Sequence, residues 1–291
     1  MQRIARWLGT IRQFRAAYAD AHERKPHLFR PRYFTEKINW RKLFDDRREF
    51  ISFSDKLATR AWIATRIGEE YLAPLLWTGT AEEIPFDTLA PPYFLKSSHA
   101  SGQVIMVTGE NADRTEDLRT EASNWLTIDW FDVNGERGYK NVPRRLMAEQ
   151  ALLDEEGERP LERRFFVFDG TARIINTTFV EEGRLRSGAF HTRDWQYLDW
   201  YFTRKVTRKF PKPERLDDMI RIAELLGKGI DHVRVDFFDC GSRIFVGELT
   251  SYSWSGLARF NPPAADLMLG SYWRLRWPRL RAIKAILFTD R

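Results

Sequence analysis

Apolar residues recur at helical spacing through Ile4, Trp7, Leu8, Ile11 and Phe14, and Thr35 to Leu43 and Asp55 to Ile67 repeat the habit, so the first part of the chain is predicted helical. From Tyr93 the period changes. Tyr93 to Lys96 reads as a short strand, Ser97 to Gly102 as a loop of small polar residues and Gln103 to Thr108 as the returning strand of a hairpin. Asp113 to Trp130 is predicted as a helix with Leu118, Ala122, Trp125 and Leu126 inward, and Arg145 to Leu152 as a strand. Arg164 to Phe168 and Ala172 to Thr178 flank Asp169-Gly170, a hairpin-turn pair. Pro213 to Leu226 is amphipathic and is expected to stop at Gly227, after which Val233 to Phe238 and Arg243 to Thr250 pair through Cys240-Gly241-Ser242, with Cys240 in the turn. The pattern predicts an α+β fold with antiparallel strands.

The last hairpin carries acids in an apolar setting. Side chains alternate along a strand, so Val233, Val235 and Phe237 share one face of VRVDFF while Arg234 and Asp236 share the other. On the return strand Ile244, Val246, Glu248 and Thr250 are expected on one face, with Glu248 within a residue or two of Asp236. Two facing acids in a half-buried sheet are costly unless something positive lies between them. Mg2+ takes hard oxygen ligands in this way, and pairing with neighbouring arginines is the other solution. The hairpin alone leaves both open.

Three further positions bear on chemistry. Lys96 ends an apolar strand before SSHASG, whose small residues would let backbone N–H groups approach a phosphate, although the GxxxxGK[ST] order is missing. A surface lysine before a solvated turn fits the same residues, and His99 is expected to face solvent. Lys56 sits where a helix begins, with Ser54 or Asp55 able to cap it. Glu149, an acid in an otherwise apolar strand, needs a partner; a purine amino group and a neighbouring arginine are the two candidates.

Composition narrows the function classes. Charged residues make up 30% of 291 and no apolar run approaches membrane-spanning length. The basic N-terminus lacks the apolar stretch of a secretory signal, and the single cysteine excludes an internal disulfide, so a cytoplasmic location is expected. A net charge of +6 favours anionic partners. No RNP signature, paired Cys/His finger or arginine tract is present, so nucleic acid is not expected among them. Arg3, Arg6, Arg12 and Arg15 on the first helix, and Arg274, Arg276, Arg279, Arg281 and Lys284 interleaved with Trp273, Trp277 and Phe288 in the tail, suit either an anionic membrane surface or packing on the body with arginine stems covering apolar area. Peripheral association with the membrane or an envelope complex stays open.

The ordered set Asp55-Lys56, Lys96 with Ser101-Gly102, Glu149, Arg234-x-Asp236 and Glu248-x-Thr250 resembles the ATP-grasp superfamily. TEKINWRKL, GEEYLAPLL, FLKSSHASG, FFVFDG, RVDFF and GELTSYSWSG followed by FNP are similar to the TupA-like ATP-grasp family, over about 34–270. That family is linked to teichuronopeptide and other cell-surface polysaccharide assembly and is usually described as amidoligase. The resemblance implies an ATP-grasp fold of two α+β subdomains clasping ATP: a helical region over 1–54 in place of a full Rossmann-like domain, the start of the core over 55–92, a lid subdomain over 93–150, a catalytic subdomain over 151–270 and a basic aromatic helix over 271–291. It further implies that Lys56 and Lys96 contact ATP phosphates under the loop at Ser101 and Gly102. Glu149, Gln150 and Leu152 would line the adenine hinge, and Glu156 would reach the ribose. Asp236 and Glu248 would bind Mg2+, with Thr250 standing where most ATP-grasp enzymes carry a ligating Asn, and Arg234 would stabilise charge at the reacting carboxyl. Ser251 to Trp254 lacks the proline that often follows in relatives.

The implied reaction joins a carboxylate-bearing substrate to an amine-bearing one through an acylphosphate, with a uronic-acid polysaccharide and an amino acid as candidates. Phosphotransfer or sugar transfer from the same ATP site, and a non-catalytic polysaccharide- or membrane-binding role, are the alternatives. Loss of Asp236 or Glu248 is expected to leave folding largely intact.

Overall fold

The structure, a computed structural model, describes residues 2–181 and 184–275 together with 280, 281 and 283, and side chains from residue 8 onward. Four helices open the chain: α1 Gln2–His22, α2 Phe34–Phe44, α3 Arg48–Ser54 and α4 Lys56–Ile67. A four-stranded antiparallel sheet follows, in the order β1 (Leu75–Gly79), β4 (Leu146–Gln150), β2 (Tyr93–Ser97), β3 (Val104–Val107), with α5 (Thr115–Thr127) packed on it and the short α6 (Trp130–Asn134) before β4. The second sheet has six strands, in the order β10 (Arg243–Thr250), β9 (His232–Cys240), β5 (Leu161–Phe168), β6 (Thr171–Glu181), β7 (Arg184–Thr192), β8 (Tyr197–Leu198). Helices α7 (Leu216–Gly227) and α8 (Pro263–Tyr272) complete the α+β architecture.

Several local expectations shift. Neither α3 nor β1 has a sequence pattern strong enough to announce it; α3 is seven residues long and β1 is largely exposed. Helix α7 starts after Pro213 and runs through Gly227 rather than stopping there. Gly227 packs face-on against Val167, where any side chain would collide, and the left-handed turn falls at Gly229. Cys240 closes β9 as a buried residue, and Gly241 takes the left-handed position. Leu8 is exposed, while Ile11 and Phe14 lean on the cluster around Trp40. Among the described residues no helix is long and apolar enough to cross a membrane. Trp273, from the basic aromatic tail, is 1% exposed and belongs to the core; Arg276, Trp277, Arg279, Lys284 and Phe288 lie outside the described residues, as do the side chains of Arg3 and Arg6.

The six-stranded sheet has two differently used faces. Phe165, Val167, Val233, Val235 and Phe237 point to one side, where α3, α4 and α7 cover them with Phe50, Phe53, Ile63, Met219, Ile222 and Leu226. On the other side Phe166 and Phe168 receive Phe34 of α2 and, with Ile174 and Phe190, meet Leu269 of α8 and Trp273. That second packing covers only part of the face. The polar residues beyond it, Glu162, Arg164, Arg234 and Asp236, pair with one another.

All eleven residues of α2 are buried, four of them charged. Each charge is spent on backbone. Glu36 accepts N–H groups from His27, Arg32 and Tyr33 at 3.0, 2.7 and 3.1 Å, and Lys37 donates to the carbonyls of Gly270 and Trp273 at the end of α8. Burial pulls the Lys37 ammonium down to about 8. Arg41 donates to the carbonyls of His232 and Ser251 at 2.9 and 3.0 Å and to Asp231 at 2.9 Å, between the rings of Phe50 and Trp273. Residues 232 and 251 bracket the β9–β10 hairpin, so one guanidinium fixes both its ends.

Burial opposes ionisation of Asp231, but Arg41, Arg47 and the Trp273 indole N–H outweigh it and hold the carboxyl at about 2. A depressed carboxyl contributes stability above its unfolded value of 3.8 and loses it as pH falls through about 2. Asp231→Asn is expected to lower unfolding free energy at pH 7 by about 3 kcal/mol, because it strands a buried guanidinium. In urea titrations the gap to wild type should narrow between pH 4 and pH 2, where the native carboxylate takes up its proton.

Candidate functional site

The acids of the last hairpin meet as the alternation requires on one strand and against it on the other. In β9, Arg234 and Asp236 face away from the Val233, Val235 and Phe237 core. In β10 a strict two-residue period would carry Glu248 and Thr250 to the same side as Ile244 and Val246. A bulge between Val246 and Glu248 re-phases the strand, so Ile244, Val246 and Leu249 enter the core while Glu248 pairs with Asp236 and Thr250 with Arg234. Gly247 is the inserted residue, and a Cβ there would press on the ring of Phe238.

Arg234 grips its neighbour with two parallel bonds, Nε to Asp236 Oδ1 at 2.7 Å and Nη2 to Oδ2 at 2.6 Å, and Nη2 also reaches Thr250 Oγ1 at 3.0 Å. The pair is almost fully buried, and burial raises the Asp236 carboxyl although Arg234 and Arg164 oppose it. Arg164 comes from β5, directly opposite Asp236, at 3.7 Å from its carboxylate. It also holds Glu162 Oε2 at 2.7 Å, which in turn accepts from Thr178 Oγ1. Glu248 is half-buried and makes no hydrogen bond or ion pair among the described residues.

The four-stranded sheet presents cations. Lys96 of β2 donates to Glu149 Oε2 of β4 at 2.5 Å, and Arg60 donates to Oε1 at 2.6 Å. Burial works against the Glu149 charge, but these two partners hold the carboxyl below the usual range. Lys56 opens α4, whose N-terminus is capped by Asp55 Oδ1 accepting from Leu57 N–H at 3.0 Å. Its ammonium donates to Ala100 O and its backbone N–H to Ser98 O at 2.9 Å, which ties the SSHASG loop to the helix. Burial brings Lys56 down to about 8, with Glu248 of the large sheet and Glu149 of the small one pulling it back up and Lys96 pushing it down. One ammonium thus feels both sheets.

Ser101 and Gly102 form the exposed tip of this loop, Gly102 at φ 76°. His99 is 3% exposed, and its Nε2 lies 3.2 Å from Trp125 O: it anchors the loop from below instead of facing solvent. Gln150 and Leu152 lie where β4 leaves the small sheet for β5 of the large one; the backbone there is held by Gln150 N–H to Pro74 O and Ala151 N–H to Pro92 O. Glu156 sits exposed at the outer turn of that crossing, its N–H donating to Asp154 Oδ1 at 3.1 Å. Of the residues singled out from sequence, Lys56, Lys96 and Glu149 cluster on one side and Arg234, Asp236, Glu248 and Thr250 on the other; Glu156 is the most remote from both in its contacts.

Arg60, Glu162 and Arg164 were not singled out. Arg60 stands four residues after Lys56 on the same helix face, and Glu162 and Arg164 alternate with the buried Phe165 and Val167, so both signals were present as periodicity without a partner to give them meaning.

The donor set is of a kind that a hard divalent cation takes. Glu248 lacks a cationic partner beside Asp236, and a carboxylate already gripped by arginine retains lone pairs for a further bond. Among the described residues no group of three or more Asp, Glu, His or Cys side chains could hold a metal. Two carboxylates and a hydroxyl suit an ion such as Mg2+ that keeps waters and substrate oxygens in its shell.

Comparison with known proteins places the chain. It aligns with the ATP-grasp ligase PsnB bound to a phosphomimetic minimal precursor, Mg and ADP (12% identity, TM-score 0.41, 84% of this chain and 61% of that one). It also aligns with N5-carboxyaminoimidazole ribonucleotide synthetase, purK, in its ADP complex (11%, 0.47, 70% and 46%) and with D-alanine–D-alanine ligase from Bacillus anthracis complexed with ATP (13%, 0.42, 68% and 53%). The chain spans about half the length of these proteins. No curated protein matches it. The TupA-like ATP-grasp profile matches residues 36–274, most of the chain, and the protein belongs to that family and has the ATP-grasp fold.

Proposed function

We propose that the protein is an Mg-ATP-dependent carboxylate–amine ligase acting on a cell-surface polysaccharide or its precursor, with a uronic-acid carboxylate and an amino-acid amine as its substrate classes. The observation that carries this reading is that one ammonium, Lys56, lies between the acids of the two sheets. Lys96 and Arg60 gather on Glu149, Glu248 pairs across its hairpin with Asp236, and Lys56 lies in the fields of both Glu149 and Glu248. The cations suit the phosphates, and Glu248, beside the arginine-held Asp236, suits the metal that accompanies them.

Bound at Asp236 and Glu248, Mg2+ would neutralise developing charge on the transferring phosphoryl oxygens. The residues of the chain do the rest. Lys96 would release Glu149 in part and turn to the phosphates, while Arg60 keeps that carboxylate ionised. Lys56 would give up Ala100 O for a phosphate oxygen. Arg234, fixed in plane by Asp236 and Thr250, would stabilise negative charge at the reacting carboxyl without moving. The Ser97–Gly102 loop would exclude water above them. Donors fixed before the reaction begins account for the acceleration, and no side-chain nucleophile is needed. Family membership supports the polysaccharide assignment; the charged cleft supports the ATP and metal.

The structure changes what the two acid variants would report. Asp236→Asn breaks a buried arginine pair and so is expected to lose stability as well as activity, contrary to the sequence expectation. Glu248 has no such partner. Glu248→Gln is expected to keep its melting temperature, because it removes a like charge facing Asp236, while Mg-ATP turnover falls about 100-fold. Retained turnover would overturn the metal assignment. Lys96→Ala is expected to cut by half or more the rise in melting temperature that ATP with Mg2+ gives wild type, read by thermal denaturation. An undiminished shift would remove Lys96 from the phosphate site.

A further inference from the structure

A cavity of about 1190 Å³ lies between the segment that leads into α2, the end of α8 and the chain that follows α8. Its size exceeds the roughly 300–1,000 Å³ usual for a small-molecule pocket. Leu267, Leu275, Leu280 and Ile283 form its walls together with Phe29 and Trp273. Trp273 belongs to the core, but Phe29, Leu280 and Ile283 are 46%, 61% and 49% exposed, so large apolar side chains gather around an opening to solvent. A smaller cavity of about 350 Å³ shares Phe29 and Arg30 and carries the groove on to Ile11 and Leu28.

The charge along this groove has one sign. Arg30, Arg32, Lys37 and Arg274 line the larger cavity, Arg15 and His27 the smaller one, and no Asp or Glu among the described residues lines either. Lys37 is committed to the carbonyls of Gly270 and Trp273. Arg30, Arg32 and Arg274 are exposed, and among the described residues their side chains make no ion pair or hydrogen bond. Each stands next to an apolar wall residue in FRPR or WRL, so its stem can cover hydrocarbon while its head reaches outward.

We propose that this groove seats the protein on the surface of an anionic lipid bilayer. Headgroup phosphates accept from Arg30, Arg32 and Arg274, and Phe29, Leu280 and Ile283 enter the boundary with the acyl chains. Charge complementarity selects an anion, and the apolar walls select one that carries hydrocarbon. A compact soluble anion would pair the arginines and leave those walls in water, whereas a bilayer meets both at once. The seat is joined to the reaction centre. Lys37 and Arg41 stand one turn apart on α2, and Trp273, which lines the cavity, lies 4.3 Å from the Arg41 guanidinium and donates its indole N–H to Asp231 at 2.9 Å. The inference is independent of the ligase reading, and its test needs no turnover.

The full chain is floated with vesicles of phosphatidylcholine alone and of phosphatidylcholine with about one-third phosphatidylglycerol. Wild type is expected to float about tenfold more with the anionic vesicles, and to come off them as salt is raised through about 0.5 M. Arg30→Glu combined with Arg274→Glu should cut that flotation about tenfold, and Leu280→Asp by about half or more, each without a change in melting temperature because the altered side chains are exposed. Arg30→Lys combined with Arg274→Lys keeps the charge and should keep the binding. Lys209→Glu combined with Lys212→Glu makes the same charge change at exposed positions outside the groove and should float like wild type.

Equal flotation with neutral vesicles, none with either kind, or binding that salt leaves unchanged overturns the seat. Undiminished flotation of the Arg30 and Arg274 glutamate pair or of Leu280→Asp overturns it as well, as does a loss in the lysine pair at those two positions equal to that of the glutamate pair. An equal loss in the Lys209 and Lys212 pair means attraction spread over the whole surface, and it counts against the groove. Release of bound wild type by glycerol phosphate at about 1 mM makes the ligand a free phosphate and not a membrane.

Discussion

The structure is organised around the guanidinium of Arg41. It is fully buried, so each of its five donors is met by protein or left at a cost in stability. Nη1 and Nη2 are met by carbonyls at the two ends of the β9–β10 hairpin and by Asp231, Nε is left without a hydrogen-bond partner, and an aromatic ring lies on each side. Because α2 also grips α8 through Lys37 and the Gly256 turn through Asn39, one helix ties the floor of the site to its rim. This explains why a helix can be buried on every side while bearing four charges: its charges replace the hydrogen bonds that loops around the site would otherwise lack.

Much of this was legible in the chain. The Asp169-Gly170 hairpin, with φ of 50° and 70-odd degrees at its centre (76° at Gly170), and the core alternation in β9 follow from local rules that nothing tertiary overrides. The β10 phase was not legible, because a bulge adds one residue without changing composition, and GELT looks the same in either register. The role of Lys37, Arg41 and Lys42 was equally hidden. A run of charges in a helix ordinarily marks a solvated face, and only the carbonyls of residues distant in sequence show that these charges point inward. His99 misled for the same reason: a loop residue among serines is exposed unless a helix, here α5, has been laid beneath it.

The two groups of charged residues differ in rigidity. On the large sheet Arg234, Asp236 and Thr250 are locked by bidentate and cross-strand bonds, the property wanted where charge develops at a fixed atom. Lys96 on the small sheet and Lys56 at the start of α4 hold partners they can exchange, a shared carboxylate and a carbonyl, the property wanted where a ligand enters and leaves.

The bulge at Gly247 has an effect outside the cleft as well. Strand β10 is the outer strand of the six-stranded sheet, the position at which a row of backbone donors and acceptors is left without a strand partner. A regular strand of such apolar content would be a template for pairing between molecules. The inserted glycine breaks the spacing of that row at mid-strand, so the residue that turns Glu248 and Thr250 toward Asp236 and Arg234 also makes the edge a poorer template for pairing.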